Sequence, residues 1–273
     1  MPSTLPFIYI ASLPRTGSTV LSEALTQLPY SFMFHEPHLG KNNFALQPND
    51  VARLKTCGVD LPTFVKRRLP LAFFLRRLRP FGFPQDYFLR EFKSKLLPHL
   101  KNCVTQIGVK EIKHMGWKNY VKHFPDLKVV LTGRDPRDIY LSMYGKWQRG
   151  TMAWRGAFTP ETAAAFLNKE FEMQRSLSQA ADSLLIRYED LCQDDAVIAR
   201  IKQFVQSPIP EIGPIGAYIS THPFRQHEHD VHHGKITDKS VGRWRQESDR
   251  QLLSDALACF EKMSAYSQFW GYE

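Results

Sequence analysis

Arg15, Thr16, Gly17, Ser18 and Thr19 follow an apolar run, Phe7-Ile8-Tyr9-Ile10-Ala11, and lead into an amphipathic stretch. A strand that passes into a helix through such a turn leaves main-chain N–H groups without intrahelical partners, at the positive end of the helix dipole. Gly17 lets the main chain come close to a bound group. Ser18 and Thr19 add hydroxyl donors, and Arg15 adds a permanent cation with a planar donor fork. These residue types in this order could cradle an anion. The nucleotide signature G-x-x-x-x-G-K-[ST] is nevertheless missing, because no Gly opens the loop and the basic residue comes before the Gly. Residues 129–144, VVLTGRDPRDIYLSMY, repeat the layout. Arg134 closes an apolar strand, Ser142 falls on the second turn of the helix that follows, and Arg137 lies between them. Arg134 and Ser142 could grip one further phosphate. Each segment alone also fits an ordinary strand–helix turn, with Arg15 solvated or Arg134 paired to an Asp.

These loops need strands and helices to carry them. Strand patterns occur at 6–12, 30–34, 105–112, 127–132 and 183–188. Helical patterns occur at 18–28, 117–123, 137–144, from Pro160 to about 181, at 194–205 and at 251–263. Thr159-Pro160-Glu161 is a strong helix start, with an N-cap hydroxyl, Pro at the first helical position and an acid against the dipole. Residues 145–159 and 207–246 read as irregular. Alternating strands and helices predict a three-layer α/β fold, a central parallel sheet with helices on both faces, in one domain over residues 1–273. Ligands of such folds sit at the carboxyl ends of the strands, where both unusual loops fall. Residues 40–100, rich in Arg, Phe, Leu and Pro with a helical piece at 88–97, stand apart as an insertion.

The bulk numbers agree with an enzyme-sized domain that has an anionic partner. The chain has 273 residues, 43% of them hydrophobic, and a net charge of +9. That charge suits a nucleotide, a sulfated sugar, a membrane face or nucleic acid equally. The four cysteines form no C-x-x-C, so neither structural zinc nor a disulfide framework is expected, and a cytoplasmic location with reduced thiols is. No run is long enough for a transmembrane helix, and the N-terminus does not read as a signal peptide.

Taken together, Arg15-Thr16-Gly17-Ser18-Thr19 and Arg134-Asp135-Pro136-Arg137-Asp138-x-x-x-Ser142 resemble the sulfotransferases that use 3′-phosphoadenosine 5′-phosphosulfate (PAPS). In that family [KR]-[ST]-G-[ST]-[ST] binds the 5′-phosphosulfate and R-[DN]-P-[RK]-D-x-x-x-S binds the 3′-phosphate. The Arg in the first loop is more similar to the carbohydrate and bacterial branches than to the cytosolic branch, where Lys is usual. Two further pieces fall in the family's order. Tyr188-Glu189-Asp190-Leu191 is similar to a Y-E-D-L whose Tyr lies near the adenine. Gly242-Arg243-Trp244 resembles the segment that folds over the nucleotide. The resemblance implies a P-loop-like α/β fold, PAPS as co-substrate and no metal. Arg15, ahead of the Gly, would sit at the oxygen bridging phosphorus and sulfur, which gains negative charge as the bond breaks.

Transfer to a hydroxyl needs a base. Relatives with Arg in the first loop often carry Glu-Pro after the second strand, which here is Glu36-Pro37, and the resemblance makes Glu36 the base. Burial beside an aromatic strand predicts a raised pKa for it. His35 is the rival, its intrinsic pKa being suitable. Lys110 matches the Lys of a cytosolic K-T-H motif that touches the sulfuryl group. Ile112 replaces that motif's His, and strand alternation favours Lys110 over Lys113.

Three features have plainer readings beside functional ones. Residues 66–80 carry six cations around an apolar centre, and read as a helical lid over the acceptor site, with a membrane or nucleic-acid surface as the alternative. Five of the ten histidines lie in residues 221–233, which read as a polar loop near the acceptor, with zinc as the alternative. Trp147 and Trp154 form either a stacking wall for an acceptor or core packing. The functional expectation is a sulfotransferase acting on a hydroxyl of a small-molecule or carbohydrate acceptor, without nucleic acid or a membrane segment. A metal-dependent small-molecule kinase and a non-enzymatic binder of anionic polymers are the alternatives.

Overall fold

Each of the five apolar runs forms a strand. The computed structural model describes residues 5–41, 43–68, 86–213 and 240–273. In it β1 (Ile8–Ser12), β2 (Ser31–His35), β3 (Gln106–Glu111), β4 (Lys128–Gly133) and β5 (Asp182–Arg187) build one sheet in the order β2-β3-β1-β4-β5. All four pairings are parallel, so every connection is a crossover and helices cover the faces.

Strand alternation divides the core in two. Ile8, Ile10, Met33 and Val130 pack with Val20 and Leu21 of the helix Ser18–Ala24 and with Val197 and Ile201 of the helix Asp195–Phe204. On the other face Tyr9, Ala11, Phe34, Val109, Val129 and Leu131 meet Leu167 and Phe171 of the helix Pro160–Ala180 and Ile139 of the helix Pro136–Gln148. A strand buried on both faces must be apolar throughout, and β1, IYIAS, is buried at every position. The strand order reverses at β1, with β2 and β3 on one side and β4 and β5 on the other. The crevice at such a reversal is where open α/β sheets take ligands.

The structure departs from the sequence expectations in places with clear packing causes. The helix expected at 137–144 starts at Pro136, capped by the Asp135 carboxylate, and continues to Gln148. Tyr140, Tyr144 and Trp147 extend one aromatic stripe, and Phe158 packs against all three. Trp154 packs on Phe158 and Phe166, so both tryptophans serve the core. The helical piece at 88–97 is Tyr87–Glu91, a π turn at Phe92–Leu96 and a last turn at Leu97–Leu100. In the 40–100 insertion, Leu54, Leu61, Val65, Phe88 and Phe92 belong to the main core. Its stretch 69–85, which contains most of the basic segment, lies outside the described residues, as does the histidine-rich 221–233. The terminal helix is Arg250–Glu261, and a second one, Ser264–Trp270, follows it. All four cysteines are free thiols. Among the described residues no helix is long and apolar enough to cross a membrane.

Candidate active site

Gly17 makes the turn after β1. It adopts φ 81° as the N-cap of the helix Ser18–Ala24, and no side chain caps that helix. A Cβ on Gly17 would lie 2.6 Å from the Tyr188 ring, so Tyr188 closes directly on the loop. Arg15 also has a positive φ, 70°, a conformation that costs a non-Gly residue and is held by its surroundings. Its Nε donates to Ser142 Oγ at 2.8 Å. The Thr16 hydroxyl points inward: it donates to the Leu13 carbonyl at 2.8 Å and meets Thr132 Oγ1 at 2.7 Å. That hydroxyl is therefore a tie between the tips of β1 and β4. Ser18 is buried and Thr19 half-buried on the first turn.

The loop after β4 is fastened from several sides. Arg134 is buried, and its Nη1 donates to the Arg15 carbonyl at 3.1 Å. Its Nη2 donates to the Ser240 carbonyl, and its guanidinium lies 4.4 Å from the centre of the Tyr188 ring. Its Nε is buried with no partner among the described residues. Tyr188 bonds to Ser240 Oγ at 2.7 Å, and burial pushes its phenol up to about 12. Asp138, fully buried, accepts from the main-chain N–H groups of Gly242 at 2.8 Å and Trp244 at 3.1 Å. The second Asp of R-D-P-R-D thereby pins the Gly242-Arg243-Trp244 segment to the first turn of the helix Pro136–Gln148. Gly242 takes φ 67° there, and Arg243 is exposed.

Arg137, three residues after Arg134, has its guanidinium fully engaged within the protein. Its Nε and Nη2 pair with Asp135 at 2.9 and 2.8 Å. Its guanidinium is held between the Trp244 and Phe260 rings, at 3.9 and 4.2 Å. It supports Trp244 from beneath.

The third group lies at the tips of β2 and β3. His35 pairs in register with Lys110, and Lys110 with Ile10. Parallel partners share a face, so both side chains point to the side of the helix Ser18–Ala24. Lys110 Nζ meets Glu36 Oε1 at 2.5 Å, whereas Lys113 is exposed. Glu36 has φ 50°. Burial pushes its pKa up, but Lys110, His38 and His35 outweigh burial and the net direction is down. This reverses the expected rise.

His35 is enclosed. Its Nδ1 meets Asp50 Oδ1 at 2.8 Å, and its Nε2 meets Glu23 Oε1 at 3.0 Å and Ser22 Oγ at 2.8 Å. Burial lowers its pKa, yet the two carboxylates prevail and raise it. Glu23 is also paired to Arg53. Glu111, next to Lys110, is buried and accepts from the His38 N–H at 2.7 Å and meets its Nδ1 at 2.8 Å. Sequence reading missed Glu23, Asp50, Glu111 and Ser240. Only Asp138, inside a recognisable motif, carried a local signal.

The structure thus joins Arg15, Gly17, Arg134, Ser142, Tyr188 and the 240–244 segment into one polar unit. His35 is tied to the same first helix through Ser22 and Glu23, and Lys110, its register partner, pairs with Glu36 beside it. Among the described residues no group of three or more His, Cys, Asp or Glu is placed to hold a metal.

An all-parallel sheet with an uncapped helix start at the reversal of strand order defines a P-loop-like α/β protein. The model of the sulfotransferase family matches residues 6–211, and the chain belongs to that family. Membership implies sulfuryl transfer with PAPS as co-substrate. The sulfotransferase domain from the curacin biosynthetic pathway is similar over 99% of both chains, with 16% identity and a TM-score of 0.60. The sulfotransferase domain of the Synechococcus PCC 7002 olefin synthase is similar over 95% of this chain and 94% of its own, with 17% identity and a TM-score of 0.55. Sulfotransferase STF9 from Mycobacterium avium covers all of this chain, over 78% of its own, with 16% identity and a TM-score of 0.51. At these identities the likeness shows the fold. No curated protein matches the sequence.

Proposed function

We propose that the chain moves the sulfuryl group of PAPS to a hydroxyl of a small-molecule or carbohydrate acceptor, with Glu36 as general base. The observation that carries this reading is the Arg15–Ser142 bond at 2.8 Å beside Arg134, whose buried Nε has no partner among the described residues. A buried donor without an acceptor is costly, and a phosphate oxygen is the acceptor an Arg fork fits best.

PAPS supplies the group transferred and a good leaving group. Arg134 and Ser142 hold the 3′-phosphate. Thr16, Gly17, Ser18 and Thr19 offer main-chain N–H groups, and Ser18 and Thr19 their hydroxyls as well, to the 5′ end. Tyr188 and Trp244, with Gly242 and Arg243, flank the nucleoside. Arg15 leaves Ser142 to neutralise the bridging oxygen, which keeps the electron pair of the broken S–O bond. Glu36 takes the proton of the acceptor hydroxyl as the new S–O bond forms. Lys110 keeps Glu36 ionised and adds positive charge near the transferring oxygens. His35, with both ring nitrogens already bonded, is better suited to anchoring the tip of β2 than to serving as base. The scheme needs no metal ion, because Arg15 and Lys110 provide the cationic charge.

A thermal-shift comparison tests this reading. Adenosine 3′,5′-bisphosphate should stabilise the protein in a saturable way, by about 2.7 kcal/mol at a hundredfold excess over its Kd, and ADP much less. Stabilisation by ATP that requires Mg²⁺, with no preference for the 3′-phosphate, would point to a kinase. Equal, salt-sensitive stabilisation by unrelated polyanions would point to a polymer binder.

A further inference from the structure

Residues 264–273 lie beyond the stretch matched by the family model, which ends at residue 211, yet they hold the loop after β4 in place. The Tyr266 hydroxyl accepts from the Arg134 main-chain N–H at 2.9 Å and donates to the Arg134 carbonyl at 3.1 Å. One phenol satisfies both main-chain groups of the residue assigned to the 3′-phosphate. Burial pushes the Tyr266 pKa up, so the phenol stays neutral and keeps both roles. Trp270 sits against Gly133, where a Cβ would come within 2.3 Å of its ring. The Tyr272 hydroxyl donates to Glu189 Oε2 at 2.7 Å, and Glu189 Oε1 accepts from the Asp135 N–H at 3.1 Å. Tyr266 and Tyr272 stack at 6.4 Å with an interplanar angle of 11°. The main chain of Arg134 and Asp135 thus owes its position to two stacked tyrosines, one bonding directly and one through Glu189.

We infer that Tyr266 and Tyr272 are positioning residues that set selectivity for the 3′-phosphate of the nucleotide. They touch no substrate and act by fixing where the Arg134 guanidinium starts from. This inference rests on the PAPS reading above. A packing role alone would weaken every nucleotide alike, whereas a positioning role weakens only the increment that the 3′-phosphate adds.

The test is the ratio of Kd values for AMP and adenosine 3′,5′-bisphosphate in the wild type, Tyr266→Phe and Tyr272→Phe. The ratio should fall about tenfold in Tyr266→Phe, the scale of one misplaced charge-assisted hydrogen bond. It should fall less in Tyr272→Phe, with AMP affinity unchanged in both. If Tyr266→Phe fails to fold, the ratio in Tyr272→Phe decides alone. A wild-type preference that survives in the variants that fold, or affinities that drop in step, would overturn the inference and leave the nucleotide reading standing. A wild type with no preference for the bisphosphate would overturn both.

Discussion

Glu36→Gln should lower turnover by at least about 10²-fold, the usual scale of losing a general base, and leave the affinity for adenosine 3′,5′-bisphosphate intact. The amide has the same shape and can still accept from Lys110, so the tip of β2 should keep its place. It cannot take a proton. The pH profile adds an independent check. The folded pKa of Glu36 lies below its ordinary 4.5 because Lys110, His38 and His35 together outweigh burial. The carboxylate therefore stays ionised as pH falls through mild acid, and the acid limb of kcat/KM should lie below the ordinary value. In Lys110→Met, burial is left with less opposition and the limb should move up. Near-normal turnover in Glu36→Gln would remove this residue from the chemistry.

Arg15→Gln should cost about 10²- to 10³-fold in kcat, the loss expected when a preorganised charge opposite a developing oxyanion is removed. Binding of the bisphosphate should weaken much less, because Arg134 and Ser142 remain. Arg15→Lys should retain most of the rate, since the compact ammonium can occupy the same place without the fork. The two substitutions face the same left-handed backbone, φ 70° at residue 15. Any stability cost of that conformation is then common to both, and the difference in kcat reports charge alone. Single-turnover rates with saturating donor are the appropriate readout.

The sheet and its order of elements were legible because apolar runs and turn residues are local signals. The first loop was legible for the same reason, since Gly17 marks a turn wherever it sits. The inward turn of Thr16 was not, because its partner Thr132 is 116 residues away across β4. Arg134 and Arg137 look equivalent in sequence and are placed differently. The helix N-cap at Asp135 claims Arg137, whereas Arg134 sits on the strand side of the cap. The direction of the Glu36 shift failed for a similar reason. The aromatic strand beside it suggested burial, and the compensating cation, Lys110, is 74 residues away. The helix Ser264–Trp270 is short, and its Tyr266 and Trp270, one turn apart, make sense only beside Gly133 and the main chain of Arg134.

The central claim is that the tips of β1 and β4 form one site for an adenosine nucleotide bearing a 3′-phosphate. A crystal structure with adenosine 3′,5′-bisphosphate tests it most directly. The account predicts Arg134 Nε and Ser142 Oγ within hydrogen-bond distance of the 3′-phosphate and the 5′-phosphate over the N–H groups of the Ser18–Ala24 helix. A ligand bound elsewhere, or with residues 134 and 142 turned away from its ribose phosphate, would contradict it.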